Sequence, residues 1–485
     1  MLKKRVMVVG AALLAAVFAV VLIWNWNRTP STFGLGHAAS GDTPKASLRL
    51  LSPGILSITL ESRNTRAASV ALQADGTIVV GATTSPKVVS APAGDKARGV
   101  VLRLTSNGRL ANPAVTALAN TPGVVSSVST ARDGTIVVVG YGSPAEQRIA
   151  GPAIDRHFLV ARLLPNGALD PTFGGEGIVL ANMRSGLSQG HTARSIAIED
   201  DGRVVVTGVA SYSLGPLAAA SYCATARLGQ DGRLDRSFGD KGRVLTLLPG
   251  RTSCNSVSVF VGLDGRIIVA GNASSERGPH HIVALRYLSS GALDPQFGQG
   301  GTAELQTEAT AWSAALDAQS RILAVGTEWL GPTGTRILVA RFDSHGNVDQ
   351  SFGAGGTVSL HDADVLQELN AAAFQPDGKI VAVGTFGWSS ATRPPEPGKR
   401  YQIVVLRLDP SGALDRSFAD GGLLLMASPR YQWGGQTIAI QPDGKLLIAG
   451  FVVDEADNRT SSIVLVRLNR DGTPDAEFGR DVETP

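Results

Sequence analysis

The sequence predicts an all-β chain, a seven-bladed β-propeller built from four-stranded repeats. Three observations predict it. A six-residue phrase recurs down the chain, an Asp-Gly turn recurs ahead of it and in step with it, and an arginine recurs between the two. The copies of the phrase are Leu169-Asp170 to Phe173-Gly174, Leu234-Asp235 to Phe238-Gly239, Leu293-Asp294 to Phe297-Gly298, Val348-Asp349 to Phe352-Gly353, Leu414-Asp415 to Phe418-Ala419 and Pro474-Asp475 to Phe478-Gly479. Their phenylalanines are spaced by 65, 59, 55, 66 and 60 residues. A fixed period of this size marks a repeat array rather than one irregular core. The 57 glycines exceed the usual share of about 7% and fit many tight turns.

The N-terminus comes first. Lys3, Lys4 and Arg5 precede an apolar run from Val6 to Trp24, with Trp26 just beyond. Such a run is long enough to span a bilayer as a helix, and the basic cluster keeps the N-terminus cytoplasmic. Residues 1–26 are therefore expected to be a cytoplasmic stub and transmembrane signal anchor. Residues 27–53 are expected to be a polar linker, 54–479 the propeller and 480–485 a tail. The expected location is the cytoplasmic membrane, single-pass, with the bulk periplasmic or extracellular; secretion after signal-peptide cleavage is the alternative. Neither cysteine lies near this segment, which excludes a lipoprotein. The net charge of +3 equals the contribution of those three basic residues, so no basic footprint for nucleic acid remains.

Each repeat reads as four short strands. In the last copy, residues 437–440 precede the turn Pro442-Asp443-Gly444; residues 446–450, a polar loop and residues 463–468 follow. The turn Arg470-Asp471-Gly472 then leads into the phrase. Asp-Gly between apolar runs is a hairpin signal, read here as type I′ with φ > 0 at both central residues. The first turn carries Gly76, Gly134, Gly202, Gly265, Gly378 and Gly444, and the fifth repeat departs with Gln319-Ser320. Seven units result. Four antiparallel strands per period without helical periodicity favour a propeller blade over an open solenoid. The last unit ends before a fourth strand of its own, and residues 54–60 match an outer strand. That N-terminal strand is expected to complete the seventh blade and remove two edges.

On these residues the chain resembles the delta-60 repeat family of bacterial propeller-like repeats, from about Gly54 to Gly479. The first unit departs from the pattern, with Leu110-Ala111-Asn112-Pro113 in place of the acid and aromatic. The resemblance implies no general enzymatic activity and brings no catalytic residues.

Arginines close the third strands at Arg103, Arg162, Arg227, Arg286, Arg341, Arg407 and Arg467. In six units an acid follows, at Asp170, Asp235, Asp294, Asp349, Asp415 and Asp475. A guanidinium can grip a carboxylate by two parallel hydrogen bonds, and recurrence in nearly every unit assigns the pair to blade construction. Calcium held by these turns would need many converging oxygens, and no metal or other cofactor is expected. His280-His281 face opposite sides of a strand, which is poor geometry for joint chelation. No nucleophile elbow, zinc-protease helix or phosphate loop is present.

The first and third turns of each blade open on one face. The second loops and the links between blades open on the other, where the units stop resembling one another, and binding residues concentrate on such variable loops. The candidate binding face comprises Trp329, Trp388, Arg393, Asp454, Glu455 and Asp457. Cys223 and Cys254 both open on this face and are a candidate disulfide between neighbouring blades. The function expected is a membrane-tethered extracytoplasmic module that binds an unidentified protein or glycan. The alternative is a polysaccharide lyase or hydrolase with its site in the central funnel. A funnel lined by small apolar residues favours the module; clustered carboxylates and aromatics of perturbed acidity favour the enzyme.

Overall fold

A computed structural model describes residues 44–482 apart from 62, 87–96, 119–122, 144–155, 184–189, 216–217, 277, 332–334, 361–365, 388–400 and 455–459. The expected membrane segment lies outside the described residues. Among the described residues no helix is long and apolar enough to cross a membrane. Among the described residues, all regular elements of four residues or more are β-strands. Each repeat forms an antiparallel sheet in sequence order, as in Gly123–Thr130, Ile136–Gly142, His157–Leu163 and Ile178–Ala181 of the second unit.

The hairpin turns differ from the expected type. In the first unit Gly76 has φ +82°, while its neighbour Asp75 is not left-handed. Gly76 N–H donates to Gln73 O at 2.9 Å, and Gln73 N–H donates to Thr77 O. This is a three-residue loop, a type I turn closed by a left-handed glycine. The aspartate acts through its side chain instead, with Asp75 Oδ1 accepting Thr77 N–H at 2.8 Å. In the fifth unit Ser320 takes the left-handed position at φ +60°, and Asp317 Oδ1 accepts from Gln319 and Arg321.

Two elements run beyond their expected limits. Thr302–Leu316 is one continuous strand that pairs with His280–Tyr287 in its first half and with Ile322–Trp329 in its second. It serves as the last strand of the fourth unit and the first of the fifth. Ala46–Ser52, placed in the linker by sequence, is a strand paired with Ile55–Leu60. The reason is a local alternation: Ala46, Leu48 and Leu50 pack against a core cluster while Ser47 and Arg49 face solvent. At the other end Val482 packs on the same cluster, so the expected tail is anchored at least that far.

Ile55–Leu60 also pairs antiparallel with Ser461–Leu468, giving a five-stranded sheet of which three strands come from the last unit. Leu56, Ile58 and Leu60 are fully buried there. The first strand of every unit packs against the first strand of the next, and Tyr431–Ile440 packs against Arg63–Leu72. These first strands form the inner row. Apolar clusters fill the space between consecutive sheets, with the phrase phenylalanines fully buried in six of them.

Candidate functional site: the turn face, the loop face and the inner row

The repeated phrase makes joints. In all six complete units the arginine Nε lies 2.6–2.8 Å from Oδ2 of the aspartate eight residues on. The guanidinium carbon also sits 4.4–4.9 Å above the phenylalanine ring of the same phrase. Such stacking adds about 0.5–2 kcal/mol. The other acid oxygen, Oδ1, accepts the backbone N–H two residues on, as Asp235 does from Ser237 at 3.0 Å. A second cation from the first turn reaches four of the acids: Arg203, Arg266, Lys379 and Lys445 approach Asp235, Asp294, Asp415 and Asp475.

Sequence reasoning found the pair but missed its third member, a carbonyl of the following unit. Arg227 Nη1 donates to Ser289 O at 2.8 Å, Arg286 to Ser344 O at 2.7 Å and Arg341 to Pro410 O at 2.6 Å. Arg162 and Arg407 reach Gln230 O and Arg470 O in the same way. Arg467, in the last unit, reaches Ser106 O of the first at 2.5 Å. The backbone N–H after each phenylalanine follows suit, from Gly174 to Asp231 O through to Gly479 to Asn107 O at 3.0 Å. The turn glycine that follows the accepting residue must be bare. A Cβ on Gly472 would lie 2.8 Å from the Phe418 ring.

Hydrogen bonds and cations outweigh burial at the acids. Burial alone would raise the pKa of Asp235; hydrogen bonds from Ser237 and the Arg227 guanidinium overcome it and hold the value at about 2. Asp170, Asp294, Asp349, Asp415 and Asp475 shift down by the same opposition. In the first unit, where Ala111 stands in the acid's place, Arg103 donates to Asn166 O at 2.6 Å. Thr116 Oγ1 donates to Gly167 O of the same turn at 2.7 Å.

On the loop face, Trp329 ends its strand with its side chain exposed. Beside it in sequence, Glu328 binds Arg336 through both oxygens, at 2.6 and 2.8 Å. Asp454 pairs with Arg430 at 2.9 Å, and Arg430 also lies over the Tyr431 ring. Trp388, Arg393, Glu455 and Asp457 lie outside the described residues. Cys223 and Cys254 are joined by a disulfide between the third and fourth units, close to the Ser221–Ser253 bridge that links their sheets. Among the described residues no group of three His, Cys, Asp or Glu side chains could hold a metal ion.

The inner row is built on β-bulges, one in each first strand. A bulge re-aims the side chain of its extra residue, here Ala68, Ser126, Arg194, Val257, Trp312, Asn370 or Gln436. The facing strand makes room: a Cβ on Gly384 would fall 1.7 Å from Glu368 O. Hydroxyls after the bulge satisfy the neighbouring strand, with Ser195 Oγ accepting Val259 N–H at 3.1 Å and Ser258 Oγ accepting Ala314 N–H at 2.9 Å. A cavity of about 430 Å³ runs beside three of these strands, lined by small residues such as Ser195, Ser258 and Ser313 and by larger apolar ones such as Ile196, Phe260 and Leu316.

Three charged inner-row side chains were missed by sequence reasoning. Arg66 keeps solvent access and stacks 4.9 Å over Phe451, although surrounding protein lowers its pKa against an opposing pull from Tyr401. Burial lowers the pKa of Arg194 and raises that of Glu368. The available signal was positional. Aligned on the bulge, Arg66 and Glu368 occupy the place held elsewhere by Val124, Thr192, Asn255, Thr310 and Gly434.

Five segments, residues 73–110, 131–173, 263–297, 375–418 and 441–478, match a family described as a domain of unknown function (DUF5122) beta-propeller. The repeats are thus of propeller type. No curated protein matches the chain in sequence. Among solved structures it is similar to a protein of unknown function from Dyadobacter fermentans, at 11% identity over 88% of this chain and 98% of that one, with a TM-score of 0.41. It is also similar to a NanB sialidase variant from Streptococcus pneumoniae, at 12% identity over 84% and 68% of the two chains, with a TM-score of 0.40. A gluconolactonase from Xanthomonas campestris shows 12% identity over 88% and 99%, with a TM-score of 0.38. Likeness at this level transfers no activity.

Proposed function

We propose that the chain is a closed seven-bladed propeller, tethered outside the cytoplasmic membrane by its N-terminal segment, that serves as a non-enzymatic binding module for a protein or glycan. Closure is supported by the pairing of Ile55–Leu60 with Ser461–Leu468 and by the Arg467 and Gly479 bonds to the first unit. The observation that carries the binding reading is the cavity of the inner row. Its lining is apolar and serine-bearing without a charged residue, and apart from Glu304 and Glu308 in the fourth-unit half of Thr302–Leu316, Glu368 is the one carboxylate on the described first strands. Hydrolysis or elimination on a polysaccharide needs a paired acid and base. The exposed Trp329 on the loop face offers a flat apolar surface to a sugar ring or a peptide.

The raised pKa of Glu368 is what favours the alternative, a lyase or hydrolase. The test is to run the full chain on an array of cell-envelope glycans and, in parallel, in chain-cleavage assays on the same polysaccharides. Binding without cleavage supports the module. Cleavage that disappears in Glu368→Gln overturns it.

A further inference from the structure

The outer strands of the blades are closed off in two ways. In the third to sixth units the turn after the phrase folds back on the start of the outer strand: Asp240, Gln299, Ala354 and Asp420 donate N–H groups to the carbonyls of Arg243, Thr302, Thr357 and Leu423 at 2.7–3.2 Å. In the seventh, Ala46–Ser52 covers Ile55–Leu60 as a fifth strand. The second unit has neither. Its outer strand, Ile178–Ala181, pairs only with His157–Leu163, and among the described residues no backbone bond joins Gly175 to Ile178. The cause is one residue. Lys241, Gly300, Gly355 and Gly421 take the left-handed position of this turn at φ +51° to +65°, whereas Glu176 in their place does not, and Gly175 takes φ +92° instead. Left-handed backbone is costly for a residue with a Cβ and free for glycine. Arg162 N–H donates to Gly177 O, and bonds alternate along an antiparallel pair, so the N–H and C=O groups of Ile178 and Leu180 turn outward. Unpaired edge groups of this kind are a template for another strand.

We infer that this edge is a docking groove for an extended acidic segment of a partner protein, which joins the second blade as a fifth strand. The groove measures about 890 Å³, and the third turn and outer strand of the next unit wall its far side with Arg233 and Arg243. Where unit three has Arg243, the second, fourth, fifth and sixth units have Ile178, Thr302, Thr357 and Leu423. None of the ion pairs among the described residues includes Arg243, and Arg233 meets only Asp231, at 3.7 Å on the surface. Such an exposed pair contributes little. Arg243 lies opposite Ala226, which shares a cluster with Val179 and Ala181 between the two sheets, whereas Ile178 and Leu180 pack on the side of the first unit. Side chains of an added strand alternate between these two sides. Those opposite Ile178 and Leu180 face away from the third unit, and those between them reach the arginines, where a carboxylate gains charge-assisted hydrogen bonds. This edge stands whether or not the loop face binds a partner.

Fluorescence anisotropy tests it, with the full chain titrated into a short labelled peptide of alternating threonine and aspartate. Saturable binding is expected. Arg243→Gln, or lysine in place of aspartate in the peptide, is expected to weaken it about tenfold or more, as the loss of one hydrogen bond to a charged group implies. If the aspartates reach the arginines, the threonine N–H groups are the ones that pair with Ile178 and Leu180. Methylating the threonine nitrogens should therefore abolish binding, and methylating the aspartate nitrogens should leave it. No saturation, equal binding by wild type and Arg243→Gln, or equal effects of the two methylations overturns the groove. Leu180→Pro removes an outward N–H and no ladder bond. A dimer of the full chain in sedimentation that this variant dissociates would assign the edge to a second copy and overturn the acidic partner.

Discussion

The turn face and the inner row spend their charges in opposite ways. On the turn face the six acids are each held by an arginine, four of them by a second cation, and all are pulled toward lower pKa. In the inner row Arg194 and Glu368 are shifted by burial alone, each toward its neutral form. The first pattern is repeated from unit to unit, and the second occurs at single positions. Repetition with full pairing marks construction. Charge that occurs once and is shifted by burial alone falls outside that construction.

The largest effect should come from removing the strand that holds the ends of the turn-face array together. Deleting residues 54–60 takes away Leu56, Ile58 and Leu60, all fully buried. At about 1.5–3 kcal/mol for each such side chain, the loss rivals the 5–15 kcal/mol that is typical of a whole domain. Cooperative unfolding of the described residues should disappear in calorimetry, and an unchanged melting profile would sink the closing role.

Acid should act on all six joints at once. A carboxylate whose folded pKa is depressed contributes stability above its unfolded value and loses it as pH falls through the folded value. For Asp235 that window runs from 3.8 down to about 2. Glu368 has the opposite sign: its folded pKa is raised, so protonation there favours the folded state as pH falls toward its unfolded value. Denaturant midpoints should therefore fall steeply below pH 4. In Glu368→Gln the wild-type gain on approaching pH 4.5 should be absent, and equal profiles for the two proteins would erase the contrast between the regions.

One joint can be broken alone. Asp294 is 1% exposed and holds both Arg286 and Arg266. Asp294→Ala leaves two cations facing each other and should cost about 3–5 kcal/mol, the range for breaking a buried pair from one side. Urea melts that match the wild type would show the pair to be ornamental.

The fold was legible because its signals repeat. Period, turn glycines and third-strand arginines are each present many times, so one altered turn, such as Gln319-Ser320, does not hide the unit. What the sequence concealed depends on neighbours in space. The carbonyl of Ser289 that receives Arg227 is 62 residues away and has no side-chain signature. The bulges that re-aim Arg194 and Asn370 are set by strand pairing, not by residue type. The Asp-Gly turns misled on backbone type because the aspartate works through its carboxylate. Ala46–Ser52 was passed over because a short alternation beside a polar stretch is weak until its partner strand is in place.

The smallest effect should appear at the joint between the first two units. Arg103 has no acid of the phrase, and Asp75, whose pKa it helps to lower, is exposed, so its removal strands no buried carboxylate. What is lost is the hydrogen bond to Asn166 O and the contact with Gly167, whose Cβ position lies 2.7 Å from Arg103 Cδ. A single intramolecular hydrogen bond contributes about 0.5–1.5 kcal/mol. Arg286→Ala, by contrast, leaves Asp294 buried with Arg266 as its remaining cation. Urea melts of Arg103→Ala and Arg286→Ala should therefore differ, with the first near 1 kcal/mol, as one lost hydrogen bond implies, and the second clearly larger. Equal costs would mean that the reach to the next unit, common to both arginines, carries the joint and that the aspartate adds little.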